Sequence, residues 1–188
     1  MIDLPPPSLQ AHAEQIAGAL VACGLSKDGF AVTYVDDLQS YEIKISANAG
    51  ATSENLQCVW QAAYLEFVQF EEPQLGAAFD KLTENHSLEV TRKSLADKGL
   101  LDGLPHRADF ASVGDFLRAL ESHCGAPAES LLEVHSGFIT LQPGIFESAE
   151  QLDKVSCLFS AMTLVAAEDK GIKFGFIGNE LSAETEGK

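Results

Sequence analysis

The stretch SGFITLQPGIFESAEQLDKVSCLFSAMTLVAAEDKGIKFGFIGN, residues 136–179, decides the predicted fold. Residues 137–142 carry the β-branched and aromatic side chains of a strand that ends at a Pro-Gly turn, and residues 172–177 alternate as a second strand. Between them, Ser148 begins a long helix with a capping-box pattern. Two strands joined by such a helix predict a parallel pair with a right-handed crossover.

The helix over residues 148–169 carries two different faces. One is apolar at steps of three and four residues, which predicts burial of Leu152, Val155, Phe159, Met162 and Ala166. Beside it lies a stripe of short hydroxyl side chains, Ser156, Ser160 and Thr163. Short side chains let another element pack closely, and hydroxyl groups can also line a ligand pocket. Both interpretations stay open, and the pocket predicts an alternative function as a small-molecule or metal-dependent enzyme.

Length and composition predict one globular domain over residues 1–188. Residues 1–7 contain three consecutive prolines and are expected to form an extended arm, and residues 180–188 are expected to be a disordered polar tail. The chain has no apolar run of the roughly 20 residues that span a bilayer, and its N-terminus lacks a signal-peptide pattern. We therefore expect a cytoplasmic protein without a membrane partner.

The four cysteines are far apart and form no CxxC pair: Cys23, Cys58, Cys124 and Cys157. In a cytoplasmic protein such cysteines are expected to be reduced and to pack as small hydrophobic side chains. Their spacing does not fit a zinc site. No internal sequence repeat is evident, and we predict no metal site and no cofactor.

The charge of the chain limits the class of partner. A formal charge of −16 argues against nucleic acid and anionic membranes, and it favours a basic protein partner. The acidity is uneven, because no Lys or Arg occurs between Lys44 and Lys81. An acidic surface can also serve solubility alone. A basic partner is therefore expected only if the sequence also indicates an interface.

Such an interface is predicted on the segment that follows a β-hairpin. Residues 30–36 and 41–47 alternate at period two as the hairpin, with turn-forming aspartates between them. Residues 53–72 then predict one helix with a core face. Apolar side chains on its other side, with a nearby glutamate, are either a second buried face or the partner contact: Tyr64, Leu65, Val68 and Glu72.

The remaining segments complete an α+β prediction. Further helices are expected over residues 8–24, from Pro73, over 87–98 and from Ser112, with a short helical segment from Pro127 to His135. The hairpin and the β-α-β unit together predict a small mixed four-stranded sheet covered by these helices.

Catalytic residues are not predicted. The adjacent histidine and nucleophile pairs, His123-Cys124 and His135-Ser136, point about 100° apart on a helix. In size, acidity and its helix-hairpin-helix opening, the chain broadly resembles small bacterial secretion chaperones and toxin-immunity proteins. The favoured function is a small acidic cytoplasmic protein-binding module of a chaperone, adaptor or immunity type. A homo-oligomer is compatible with this prediction.

Overall fold

The computed structural model describes residues 8–135, 138–142, 149–169 and 172. The chain is an α+β protein that divides into two compact units, Met1–His86 (unit 1) and Ser87–Lys188 (unit 2), each with its own hydrophobic core. The prediction of a single domain stays a prediction. The predicted arm (1–7) and tail (180–188) lie outside the described residues.

Unit 1 joins a helix, a hairpin, a short helix and a third strand. The elements are α1 (Leu9–Ala22), β1 (Phe30–Val35), β2 (Ser40–Ile45), α2 (Leu56–Ala62), β3 (Phe67–Phe70) and the start of α3 (Pro73–Asp97). The predicted hairpin is confirmed, since β1 and β2 pair antiparallel with Tyr34 opposite Tyr41. Strand β3 pairs parallel with β2, so the sheet order is β1-β2-β3.

Local sequence explains most of unit 1. Ser8 caps α1, and its hydroxyl accepts a hydrogen bond from the N–H of Ala11 at 3.3 Å. On β2 the alternating side chains Tyr41, Ile43 and Ile45 are buried in the core. Gly29 is required before β1, because a Cβ there would lie 2.3 Å from the Cα of Ala49.

The prediction of one helix over residues 53–72 is wrong. Helix α2 ends at Ala62, and residues 67–70 form β3 beside β2. Ala63, Phe67 and Phe70 recur at helical steps of four and three, whereas Val68 and Phe70 also fit the period of two of a strand. Pairing with the edge of β2 decides between them, as tertiary contacts often do for short strands.

Unit 2 is built from the end of α3, a helix, a hairpin and a long helix. These are α4 (Val113–His123), β4 (Leu132–His135), β5 (Phe138–Leu141) and α5 (Ala149–Glu168). Ser112 caps α4: its Oγ accepts a hydrogen bond from the N–H of Asp115 at 3.1 Å and donates to the Asp115 carboxylate at 2.6 Å. The strand predicted over 137–142 is confirmed as β5.

The partner of β5 corrects the predicted sheet. Strand β5 pairs antiparallel with β4, which lies where the sequence predicted a helical segment. Residues 173–177 of the predicted second strand lie outside the described residues. Within the described chain the sheets have three and two strands, and the predicted four-stranded sheet is not confirmed. Helix α3 is also continuous where two helices were expected.

The buried face of α5 is rotated from its predicted position. Leu152 is 51% exposed, whereas Leu158 and Leu164 are buried beside the predicted core residues Val155 and Met162. The helix is thus buried over a wider face than a single stripe, in keeping with its apolar composition.

The expectation of reduced cysteines is wrong. Two disulfides form, Cys23–Cys58 in unit 1 and Cys124–Cys157 in unit 2. Each joins the C-cap of a helix to the helix that follows the hairpin. Separations of 35 and 33 residues do not by themselves identify bonded cysteines, because the fold brings the two sulfur atoms together.

The two units repeat one structural pattern, although no sequence repeat was evident. In both, a helix ends at Cys-Gly, an antiparallel hairpin follows, and the next helix carries the second cysteine. Gly24 and Gly125 have φ of 92° and 70°. The N–H of Leu25 donates to Leu20 O at 3.2 Å, and the N–H of Ala126 donates to Glu121 O at 2.8 Å. Both bonds have the geometry of the Schellman motif.

A buried carboxylate fixes the hairpin of unit 2. Glu121 is only 1% exposed, and its Oε1 accepts hydrogen bonds from the N–H groups of Leu131 (2.8 Å) and Leu132 (2.9 Å). Its Oε2 accepts another from the N–H of Glu129. The end of α4 is thereby joined to the start of β4.

We expect Glu121→Ala to destabilise the protein by about 3–5 kcal/mol, since it leaves three backbone donors without their acceptor. Urea unfolding followed by far-UV circular dichroism measures the loss. The exposed Asp153→Ala in the same unit is the control and should stay within about 0.5 kcal/mol of wild type. A loss below about 1 kcal/mol for Glu121→Ala would contradict this role for the carboxylate.

Candidate binding site

The turn between α2 and β3 exposes three large apolar side chains in four residues. Tyr64 is 60% exposed, Leu65 81% and Phe67 51%, and these three residues are called the 64–67 surface. Helix α2 ends here with a hydrogen bond from the N–H of Ala63 to Val59 O at 2.9 Å. A second bond, from Glu66 N–H to Ala63 O at 3.0 Å, leads into β3.

Leu65 has an unfavourable backbone conformation. Its φ is 68°, in the left-handed region that glycine and asparagine normally occupy. A bulky apolar residue in this conformation and in contact with water serves no packing purpose in unit 1. Such an outlier supports a functional hypothesis for the turn.

The predicted partner-binding residues separate in the structure. Tyr64 and Leu65 lie together in the exposed turn, and Glu72 is exposed just after β3. Val68, which the helical pattern placed beside Leu65, instead packs against the core of unit 1 from β3. Phe67 replaces it on the surface, because alternate strand residues point to opposite faces.

Glu66 connects this turn to the hairpin and to α1. Its Oε2 accepts hydrogen bonds from Ser40 Oγ and from the N–H of Tyr41, both at 2.7 Å. Its Oε1 lies 3.5 Å from His12 Nε2, and the glutamate side chain is 13% exposed. Sequence patterns placed Glu66 only among the acidic residues around Leu65. They gave no sign of its hydrogen bonds, because its partners come from residues 12, 40 and 41 and no local pattern joins them.

The surroundings of Glu66 favour its ionised form. Partial burial raises the pKa of this carboxyl, but hydrogen bonds from Ser40 and Tyr41 and the approach of His12 outweigh burial, so the pKa lies below its ordinary value. Burial and the charge of Glu66 raise the pKa of Tyr41. The Tyr41 hydroxyl accordingly stays protonated and donates to Leu9 O at 2.6 Å.

A cavity of about 430 Å³ opens beside Glu66. Its lining combines the carboxylate with aromatic, polar and apolar side chains: Leu9, His12, Tyr34, Gln39, Ser40, Tyr41, Leu65 and Glu66. Leu65 therefore belongs to both the 64–67 surface and the rim of this cavity. An apolar surface and a charged recess meet at one residue.

No protein-family model, curated protein or solved structure matches the chain. The function therefore has to be inferred from the geometry of this site.

The hydroxyl stripe of α5 lies apart from the cavities that the structure describes. Ser156 and Thr163 are exposed, Ser160 is half-buried, and the Thr163 hydroxyl donates to Phe159 O at 2.8 Å within the helix. A cavity of about 560 Å³ in unit 2 is lined by Leu164 and Glu168 of α5 and by residues of the 101–110 loop. The pocket predicted at Ser156, Ser160 and Thr163 stays a prediction.

The described part of the chain also bears on metal and membrane sites. There, no group of three or more His, Cys, Asp or Glu side chains is arranged to hold a metal ion. None of the helices in those ranges has the length and apolar character needed to cross a membrane.

We expect Glu66→Gln to lower the stability of unit 1 near pH 7 and to match wild type at low pH. The folded-state pKa of Glu66 lies below its unfolded value, so its contribution is present above the unfolded pKa and is lost as pH falls through the lower folded pKa. Urea unfolding followed by fluorescence of Trp60, the one tryptophan, measures the difference at each pH.

Glutamine at position 66 keeps an acceptor for Ser40 and Tyr41 but carries no charge. The exposed Glu54→Gln is the matched control and should stay within about 0.5 kcal/mol of wild type throughout. A stability gap for Glu66→Gln that is the same at every pH would show that the charge contributes nothing.

Proposed function

We propose that the protein is a binding module that engages a basic protein partner through the 64–67 surface of unit 1. The observation that carries the proposal is the exposure of Tyr64, Leu65 and Phe67 within four residues of an acidic unit. Aromatic residues are enriched at the centres of protein interfaces, where they supply large contact areas. Isolated exposed apolar residues are common, whereas three in one turn favour an interaction site.

The charge of unit 1 supports a basic partner. It contains twelve Asp or Glu residues and three Lys, a formal charge of −9, and residues 45–80 contain no Lys or Arg. Glu71 and Glu72 follow β3 directly and are exposed. Complementary charge of this kind accelerates encounter and rejects acidic proteins, while the apolar contacts supply most of the affinity.

The disulfides support an oxidising compartment for this function. Disulfides persist in secreted and periplasmic proteins and are rare in the cytosol. Two in one chain, at corresponding positions of two units, favour such a compartment over the cytoplasm expected from composition. A chaperone, adaptor or immunity type of binding is compatible with either location.

Photocrosslinking from position 65 tests the proposed interface. With p-benzoylphenylalanine in place of Leu65, we expect a covalent adduct with one basic protein in the source cells. Val90, which is 65% exposed on α3, is the matched control and should give no such adduct. The same adducts from both positions, or none from position 65, would contradict the proposal.

The crosslinked protein then allows affinity measurements. We expect Leu65→Asp to weaken its binding at least about tenfold, because a charge would be desolvated at the centre of the contact, and Val90→Asp to change it less than about twofold. Glu72→Lys should mainly slow association and reduce its salt dependence. Normal binding by folded Leu65→Asp protein would exclude the 64–67 surface.

A further inference from the structure

We propose that the cavity beside Glu66 is a binding site for an arginine side chain of the protein partner. The cavity lies within unit 1, and its volume of about 430 Å³ is within the range of about 300–1,000 Å³ that is typical of ligand sites. The inference rests on the proposed function and deepens it, since it assigns the residue that unit 1 recognises on a basic protein.

Glu66 supplies the charge of the site in a fixed orientation. Its Oε2 is held by Ser40 Oγ and the Tyr41 N–H, while Oε1 is approached by His12 at 3.5 Å. A guanidinium donates to Oε1 in a charge-assisted hydrogen bond, and the carboxylate does not have to reorganise.

Aromatic rings line the same cavity and favour arginine over lysine. The ring centroids of Tyr34 and Tyr41 are 5.2 Å apart, and those of His12 and Tyr41 are 5.1 Å apart. The Tyr41 ring is further restrained by the hydrogen bond from its hydroxyl to Leu9. The Tyr41 ring is buried, so the half-buried rings of Tyr34 and His12 are the ones on which a planar, weakly hydrated guanidinium would stack. An ammonium keeps its water more tightly.

The rim of the cavity suits the aliphatic part of arginine. Leu9 and Leu65 both line the cavity and are both exposed. The methylene groups of an arginine cover apolar surface while the charged end reaches further in. The partner would thus contact the 64–67 surface and the cavity in one continuous interface.

Backbone strain marks the same place independently of charge. Among the described residues, three non-glycine residues have positive φ, and two of them, Gln39 (50°) and Leu65 (68°), line this cavity. Residues in sparsely populated conformations cluster at ligand sites, where the surrounding structure holds them in place.

An NMR titration of the full-length, ¹⁵N-labelled protein with N-acetyl-L-arginine amide tests the site. We expect saturable shifts of the amides of His12, Tyr34, Tyr41 and Leu65. The neutral isostere N-acetyl-L-citrulline amide should give none, and N-acetyl-L-lysine amide should bind at least about threefold more weakly. Equal binding of citrulline, equal binding of lysine, or saturable shifts confined to other residues would each overturn the assignment.

Two variants separate a binding role from a folding role. Glu66→Gln should weaken arginine binding at least about tenfold, because it removes the charge and keeps the shape. If Trp60 fluorescence shows that this variant does not fold, Tyr34→Leu tests the site without touching the hydrogen bonds of Glu66. It should weaken arginine binding at least about threefold and abolish the preference over lysine, and an unchanged affinity would overturn the proposal.

The outcomes also distinguish this site from the proposed function. Loss of partner binding in Leu65→Asp with full binding in Glu66→Gln would reject the arginine site and leave the binding module standing. A saturable arginine site in a protein whose partner binding survives Leu65→Asp would instead reject the 64–67 surface and retain the cavity.

Discussion

Each unit depends on one covalent constraint, the disulfide that closes its helix-hairpin-helix segment. Cys23 and Cys124 stand where a helix ends, and Cys58 and Cys157 stand on the helix beyond the hairpin. In the chain-entropy description, closing a loop of about 35 residues disfavours the unfolded chain by about 4 kcal/mol. That is a large share of the roughly 5–15 kcal/mol by which domains are stable. Units with small cores gain most from such a bond.

In each disulfide-closed unit, a glutamate positions the hairpin. The two glutamates differ in how many of their carboxylate oxygens bond to the hairpin. Glu121 is fully buried and accepts backbone hydrogen bonds with both oxygens, so its role is structural. Glu66 secures the hairpin of unit 1 with one oxygen and leaves the other at a cavity beside exposed apolar side chains. At the candidate binding site, one carboxylate oxygen of Glu66 thus stabilises the fold and the other lies at the cavity.

Sequence patterns predicted the elements that have a local cause. The hairpin of unit 1 follows from its period of two, and the start of α4 follows from Ser112 and Asp115. Strand β3 was missed because Ala63, Phe67 and Phe70 recur at helical steps of four and three, and only pairing with β2 shows that residues 67–70 are extended. Two Cys-Gly pairs, each followed by another cysteine 33 to 35 residues on, were the available signal for the repeated units. The Glu66 site had no such signal, because sequence separation hides its partners.

The state of the cysteines in the source cells tests the central claim most directly. Cells are quenched in acid, free thiols are alkylated, and the protein is mapped by mass spectrometry of non-reduced peptides. The structure predicts no alkylated cysteine and two links, Cys23 to Cys58 and Cys124 to Cys157. Four alkylated cysteines, or links that cross between the units, would contradict both the disulfide-closed units and the oxidising compartment.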